Sequence, residues 1–302
     1  MKAKSQLFSL KKFTYFKTFS TYTYYVYYFR GKGYQKMNFS KYHIAAKDYI
    51  FTEDSELLFN TDKADIIRLC DRQKGIGADG IFTTHKNNVK TSFLRGFNQN
   101  GQHMRDFSSA SICAFFELFS TTTTDSYTFL SENGTKNTVK MSKQSNPTQF
   151  IFSFENIPTE GIFNQINRKT EIGNRILTIT PVILQSIYTV HFSDCRDKLN
   201  LEYLGCNISK NSLFRKSANL ILAQPIATNS FDINFYENKT GCHRPVLSAY
   251  AATALSACKN GICKFGDEIS VFCDNNKVKV ICHDTKNVTV ECSCEKVFSG
   301  NI

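Results

Sequence analysis

The sequence predicts a mixed α/β (α+β) protein that is built from two similar halves. The chain has 302 residues, of which 41% are hydrophobic, and this length is enough for two ordinary domains. Short apolar or alternating runs bounded by turn residues predict many strands, and only two segments predict long helices. Each long helix follows a strand and a polar, glycine-containing turn, and each precedes several more strands. The pattern of strands, helix and strands therefore occurs twice.

The strands are predicted from runs of β-branched and aromatic residues that end at Gly, Asn, Asp or Ser. Their expected ranges are 38–44, 49–52, 80–84, 91–97, 137–142, 149–154, 176–184, 189–192, 219–223, 230–236, 269–273, 277–283 and 288–292.

The two long helices are predicted over residues 107–119 (FSSASICAFFELF) and 246–259 (VLSAYAATALSACK). Asp106 or Ser108 is the expected N-cap of the first. The second ends at Asn260-Gly261, a typical helix stop. A shorter helix is expected over residues 63–69.

The net charge of +11 is concentrated at the amino end. Residues 1–36 carry eight Lys or Arg, no Asp or Glu, and twelve Phe or Tyr, whereas the rest of the chain carries only +3. The body therefore lacks the charge excess typical of nucleic-acid binding. We expect residues 1–36 to be a poorly ordered extension, or translated sequence upstream of a start at Met37. The alternative is a basic aromatic strip that stacks on single-stranded nucleic acid.

Eleven cysteines are present, and none of them forms a paired C-x-x-C unit. Cys292 and Cys294 are too close in sequence for an ordinary zinc half-site, so no metal is expected. The odd count and the length of the chain predict reduced thiols in a cytoplasmic protein. No window approaches 18 apolar residues, so no membrane span is expected.

The stretch GIGADG at residues 75–80 has the Gly-x-Gly-x-x-Gly spacing of dinucleotide binding. That motif must follow a buried strand and open a helix. Here a charged helix end, RLCDRQK, precedes it, and an alternating run, IFTTHKN, follows it. The sequence therefore predicts a loop that leads into a strand, with no nucleotide cofactor.

This loop and four other segments resemble the diaminopimelate epimerase family. The segments are CDRQKGIGADGIF (70–82) with FNQNG (97–101), the opening MNFSKYHIAAKDYIF, NSLFRKSANLILAQ (211–224), YENKTG (236–241) and VFSGNI (297–302). They occur in the family's order from residue 37 to residue 302. The resemblance implies two pseudo-symmetric halves, each a curved, mostly antiparallel sheet around a central helix. It places residues 37–150 and the last strand (290–302) in the first half, and residues 151–289 in the second.

The resemblance also implies a cofactor-independent epimerisation of an amino acid, a step in the synthesis of lysine and peptidoglycan precursors. Two cysteines, one at the start of each long helix, exchange the α-proton, and helix N–H groups hold the substrate carboxylate. Counting from FNQNG and YENKTG, these positions are Phe107 and Val246, which cannot transfer a proton. The glycines expected after them are Ser108 to Ala110 and Leu247 to Ala249.

The remaining positions of the family's site are mixed. Asn98, Asn219 and Glu237 match the family's substrate-binding residues, and local hydrogen bonding is the alternative role for them. Lys47 replaces an asparagine, Asn238 replaces an arginine, and residues 185–188 (QSIY) replace a G-N-P-H element.

Four side chains near the site could supply other chemistry. Cys113 is expected to be a packing residue inside the first helix. Cys242 and His243 are expected on a solvated turn before the second helix, and His103 follows the FNQNG turn.

Three hypotheses follow from these residues. The first is an epimerase homologue without the two-cysteine chemistry, which binds a small amino acid or carboxylate or a regulatory partner, and which could be a homodimer. The second is a divergent cofactor-free isomerase or lyase with Glu237 as the first candidate base. The third is a nucleic-acid role restricted to residues 1–36.

Overall fold

The computed structural model describes residues 37–53, 62–88, 91–119, 124–142, 149–214, 217–238 and 240–301. The helices of these segments are α1 (Lys63–Cys70), α2 (Ser108–Phe119), α3 (Leu201–Lys210) and α4 (Leu247–Lys259). The strands are β1 (Asn38–Ile44), β2 (Lys47–Thr52), β3 (Gly80–Asn88), β4 (Thr91–Asn98), β5 (Ser126–Ser131), β6 (Lys136–Met141), β7 (Gln149–Phe154), β8 (Arg168–Ile172), β9 (Arg175–Ile183), β10 (Ile187–Phe192), β11 (Ala218–Ala227), β12 (Ser230–Glu237), β13 (Gly241–Cys242), β14 (Glu268–Cys273), β15 (Asn276–Cys282) and β16 (Val288–Asn301). The basic segment 1–36, and with it the alternatives for that segment, lies outside the described residues.

Eight strands of the first half close into a barrel. Strands β1 to β7 are hydrogen-bonded in chain order, and β16 completes the circle by pairing with both β7 and β1. The barrel encloses α2, whose residues from Ser108 to Phe115 are all buried. A helix that is buried on every side needs an apolar or small-residue surface all round, which the segment SSASICAF supplies.

The second half repeats this arrangement around α4. Its strands run in the order β8, β9, β10, β11, β12, β14 and β15, and β15 pairs with β16. In both halves a short helix connects the two strands of a parallel pair: α1 connects β2 with β3, and α3 connects β10 with β11. In both halves the central helix then connects a second parallel pair, β4 with β5 or β12 with β14. The expected α+β fold with two pseudo-symmetric halves is confirmed.

Strand β16 belongs to both halves. Its first residues lie between β15 and β7, and its residues from Cys294 onward pair with β1. The division expected near residue 150 falls within β7, and we place it after Phe154 because all of β7 contributes to the barrel.

The glycines of GIGADG shape the end of α1. The N–H groups of Ile76 and Gly77 both donate to the Leu69 carbonyl at 3.0 Å, which satisfies the last turn of the helix. Gly77 has a φ of +76°, which suits glycine. Strand β3 begins at Gly80, and no helix begins in this loop, so the predicted loop-to-strand role is confirmed.

Several elements differ from the sequence-based expectation. The strands β5, β8 and β13 and the helix α3 were not expected, and β3, β11 and β16 are longer than expected. Helix α3 contains Gly205, which weakens its propensity but allows close contact with the Tyr236 ring. Its amino end is capped by Asn200, whose side-chain oxygen accepts a hydrogen bond from Tyr203 N at 2.9 Å.

Candidate functional site

The amino ends of α2 and α4 meet in the centre of the molecule. Leu247 N, at the start of α4, donates to Ser109 Oγ at the start of α2, with a distance of 3.2 Å. Both ends lie where a polar turn leaves the strand before the helix, after β4 in one half and after β12 in the other. The internal repeat therefore brings two helix N-termini, each with a partial positive charge, to one place.

A buried carboxylate occupies this meeting point. Asp106 Oδ1 accepts hydrogen bonds from Ser108 N at 2.9 Å and from Ser108 Oγ at 2.5 Å. Asp106 Oδ2 accepts from Tyr188 Oη at 3.0 Å and from Ser248 Oγ. Burial raises the pKa of Asp106, and the hydrogen bonds from Ser108 and Tyr188 oppose that rise. Of the two N-caps considered for α2, Asp106 is therefore the one that accepts the bond from the helix N–H.

The two positions aligned with the family's cysteines flank this carboxylate. Phe107 is fully buried, and its N–H donates to Gln185 Oε1 at 2.7 Å. Val246 is 6% exposed and lines the cleft between the halves. Neither side chain has a group that accepts or donates a proton.

The cleft at this site is small and polar, with a cavity volume of about 60 Å³. Its titratable side chains include acids and bases and come from both halves: Lys47, Asp79, His103, Arg105, Asp106 and Glu237. Lys47 Nζ lies 3.7 Å from Glu237 Oε2, and only 6% of the Lys47 side chain is exposed. Asp79 accepts a hydrogen bond from Asp48 N at 3.0 Å, so its carboxylate is engaged within the first half.

The three residues matched to the family's substrate-binding set differ in what they contact. Asn98 Oδ1 accepts from the N–H groups of Asn100 and Gln102, both at 3.0 Å. Asn219 Oδ1 accepts from Asn238 N at 2.9 Å. These oxygens hold turns, while Asn98 and Glu237 also line the cleft.

The four side chains that could supply other chemistry, two cysteines and two histidines, do not form one cluster. Cys113 is buried inside α2, with its Sγ 3.8 Å from Cys294 Sγ. Cys242 is exposed and donates to Glu202 Oε2 at 3.0 Å, and burial together with this bond raises its pKa to about 12. A thiol with that pKa is a poor base at neutral pH.

The two histidines near the cleft are held by other polar groups. His243 Nε2 lies 2.9 Å from the Thr240 carbonyl oxygen and 3.4 Å from Gln99 Nε2. His103 Nδ1 lies 3.1 Å from Glu132 Oε1, and this histidine lines the cleft.

Sequence reasoning missed the hydroxyl ligands of Asp106. Two signals were available: Ser108 lies two residues after Asp106 at the start of α2, and Ser248, the second residue of α4, matches Ser109 in the repeat. Tyr188 gives no such signal, because only the folded sheet brings β10 beside both helix ends.

The described residues hold neither a candidate metal cluster nor a membrane-spanning helix. They contain no group of three His, Cys, Asp or Glu side chains arranged to hold a metal ion. No helix in the described part of the chain is long and apolar enough to cross a membrane. All eleven cysteines are free.

Comparison with solved structures shows the class of the fold. A hydroxyproline epimerase from Agrobacterium vitis, with bound trans-4-hydroxy-L-proline, matches with a TM-score of 0.64 and 11% identity, over 91% of this chain and 94% of that one. A phenazine biosynthesis protein of the PhzF family from Enterococcus faecalis matches with a TM-score of 0.60 and 11% identity, over 89% and 99%. The chain therefore has the two-halved isomerase fold of these proteins.

Comparison with protein sequences gives a more specific similarity than the fold does. No family model matches the chain. The diaminopimelate epimerase of Clostridium perfringens is 24% identical over 259 residues, which is 82% of this chain and 93% of that protein. That of Caldanaerobacter subterraneus is 22% identical over 280 residues, 88% and 99%. The chain is therefore similar, at low identity and over most of its length, to diaminopimelate epimerases.

Proposed function

We propose that this chain is a non-catalytic homologue of the diaminopimelate epimerases, whose cleft does not exchange the α-proton of an amino acid. The observation that carries the proposal is the capping of the two helix starts. Phe107 N donates to Gln185, Ser108 N to Asp106 and Leu247 N to Ser109. These are the kind of donors that would hold a substrate carboxylate, and each already has an acceptor within the chain.

The side chains at the same positions support the proposal. Two-base epimerisation needs one group that removes the α-proton and another that returns a proton to the opposite face. Phe107 and Val246 supply neither, and Cys242 bonds to Glu202 on the exposed side of β13. The carboxylate next to Phe107, that of Asp106, already accepts four hydrogen bonds.

The test is exchange of the α-proton of diaminopimelate in deuterated water, followed by NMR. We expect no exchange above the rate without protein, while the Clostridium perfringens enzyme in the same assay serves as the positive control. Exchange that survives Phe107→Ala and Val246→Ala but is lost in Cys242→Ser would contradict the proposal.

A second function is favoured by one observation. The carboxylate of Glu237 faces the cleft, opposite Lys47, and is partly exposed, so it could remove a proton from an amino acid or small carboxylate. A divergent isomerase or lyase of this kind would lose its proton exchange in Glu237→Gln. It would keep that exchange in Glu202→Gln, the matched control, because Glu202 bonds to Cys242 outside the cleft lining.

A further inference from the structure

Strand β8 is the free end of the sheet. It pairs with β9 along its whole length, from Arg168 to Ile172, and no other described strand pairs with it. In the first half β16 returns to pair with β1 and closes the barrel, whereas no described strand does the same for β8. A free edge presents backbone N–H and C=O groups to which a further strand can bond.

The turn between β8 and β9 determines which backbone groups face outward. It has two residues, of which Gly173 has a φ of +62°, so the pair that flanks it, Ile172 with Arg175, is hydrogen-bonded. Bonded and non-bonded pairs alternate along an antiparallel ladder, and this ladder keeps one register throughout. The N–H and C=O groups of Lys169 and Glu171 therefore point away from β9, and no backbone bond to another described residue uses them.

The side chains of Lys169 and Glu171 share the outer face of the sheet. Both residues are exposed, whereas Thr170 and Ile172 are buried on the opposite face, where Ile172 packs with α3. Neither charged side chain forms an ion pair with another residue of the described chain. The free edge thus carries one positive and one negative charge, two residues apart.

The order of these charges favours pairing with a second copy of β8. Edges that are protected by charge repel an approaching strand, as a row of lysines does. When two copies of β8 lie antiparallel with Thr170 opposite Thr170, each Lys169 lies opposite Glu171 of the partner subunit. The same register makes these two pairs the hydrogen-bonded ones, because residues 169 and 171 have the outward backbone groups. A single register therefore satisfies the backbone groups and the charges together.

The edge also has room for a second strand. A groove with a volume of about 420 Å³ is lined by residues 168–171, Gly173 and Asn211. Successive residues of a strand point to opposite faces, so a groove that all four of these strand residues line lies along the edge. The groove therefore follows the outward backbone groups of β8.

We propose that two copies of this chain associate through β8, as an antiparallel strand pair with its two-fold axis at Thr170. The sheet then continues from one protomer into its partner, and the contact is the same on both sides. The cleft between the halves and the two helix starts take no part. The inference and the proposed function can therefore fail separately.

The test is sedimentation velocity of the full chain over a range of protein concentrations. We expect a species of twice the mass of one chain at high concentration, and its dissociation on dilution, because a pair of five-residue strands buries little surface. Added salt should weaken the association, since it screens the two exposed ion pairs. A parent protein that is monomeric at every concentration would overturn the inference.

Reversal of the charges tests the register. Glu171→Lys places lysine opposite lysine in both pairs and should weaken association roughly tenfold to a hundredfold, and Lys169→Glu should do the same. The double variant Lys169→Glu/Glu171→Lys exchanges the charges within each pair, so we expect it to restore the affinity of the parent. Lys286→Glu, on an exposed turn between β15 and β16, changes the net charge as Lys169→Glu does and should leave association unchanged.

A proline variant tests the backbone bonds. Lys169→Pro removes an outward N–H group but none that bonds to β9, so it should abolish the dimer while thermal unfolding, followed by circular dichroism, stays cooperative. A dimer that persists in both Glu171→Lys and Lys169→Pro would show that the copies associate elsewhere. Failure of the double variant to restore the dimer would contradict the proposed register.

Discussion

The carboxylate of Asp106 lies where the starts of the two central helices meet, and it contacts both of them. It accepts a hydrogen bond from Ser108 N at the start of α2 and another from the Ser248 hydroxyl at the start of α4. It therefore joins the two halves through hydrogen bonds that are shielded from water. Low local dielectric strengthens such bonds and makes their loss expensive. An acidic side chain thus occupies the place where two helix N-termini attract negative charge.

Asp106→Ala should lower the free energy of unfolding by about 3 kcal/mol, because it removes a cap and leaves Tyr188 and Ser248 without their acceptor. Urea denaturation followed by circular dichroism measures this. Asp194→Ala, at an exposed aspartate, is the control and should change stability little. A loss as small as that of the control would show that the network contributes nothing.

The pH dependence of Asp106 has a definite sign. Since burial raises its pKa in the folded state, the folded protein binds this proton more tightly than the unfolded chain does. Its contribution to stability is therefore fully present below the ordinary pKa of an aspartate and declines as the pH rises through the raised value. Asp106→Asn cannot titrate, so the stability of the parent relative to this variant should increase as the pH falls through that window. Denaturation curves of both proteins at several pH values test this, and a difference that is constant with pH would contradict it.

At the scale of elements, the loop from α1 to β3 shows why its glycines are needed. A Cβ on Gly75 would lie 2.0 Å from the Arg68 carbonyl oxygen and 2.7 Å from that of Leu69. The loop therefore folds back closely on the end of the helix, and the next residues donate to its last carbonyls.

Gly75→Ala should cost about 2 kcal/mol of stability, because the helix end must move to admit the methyl group. Gly134→Ala is the matched control: its φ is +82°, but nothing lies within 4 Å of the added Cβ, so only the backbone cost of about 1 kcal/mol applies. Thermal unfolding of both variants measures the difference. A Gly75→Ala protein that melts at the temperature of the parent would show that the close approach at Gly75 relaxes without cost.

The helices also show which elements of the fold can be predicted from the sequence alone. Both central helices were predictable because their apolar composition and stops are local signals. Each begins one residue later than predicted and ends where predicted. Helix α3 was not predicted from LEYLGCNISK, yet it lies where the internal repeat has α1, so applying the repeat to the short helices as well would have located it.

The candidate site was less predictable than the fold. Phe107 and Val246 could be placed by counting from motifs that precede them in the chain. The contacts of Asp106 with Tyr188 and Ser248 could not, because they join residues 82 and 142 positions apart. Lys47 looked like a substitution in a motif, and only the alternation of β2 shows that its charge enters the cleft.

At the scale of the whole molecule, the barrel depends on its last strand. Six of the seven residue pairs between β1 and β16 involve residues 295–301. Without them β1 and the end of β16 lose their mutual hydrogen bonds, and the eight-stranded circle opens.

Deletion of residues 295–302 should therefore remove the hydrogen-exchange protection of β1 while the parallel pair of β10 and β11 stays protected. Exchange followed by mass spectrometry of peptides from both regions gives the comparison within one sample. Protection of β1 that persists after the deletion would mean that β2 alone holds this strand.

The shared strand β16 also sets an order of events during translation. Strands β1 to β7 leave the ribosome first, but the strand that fits between β7 and β1 is synthesised only after the whole second half. Domains commonly fold from the amino end as they are made, and this barrel cannot. Until synthesis is complete, the nascent first half has two open edges, one of which carries Phe150, Phe152 and Phe154 on β7. A ribosome that stalls within the second half therefore leaves a chain with an exposed, aromatic strand edge, the kind of surface that chaperones bind.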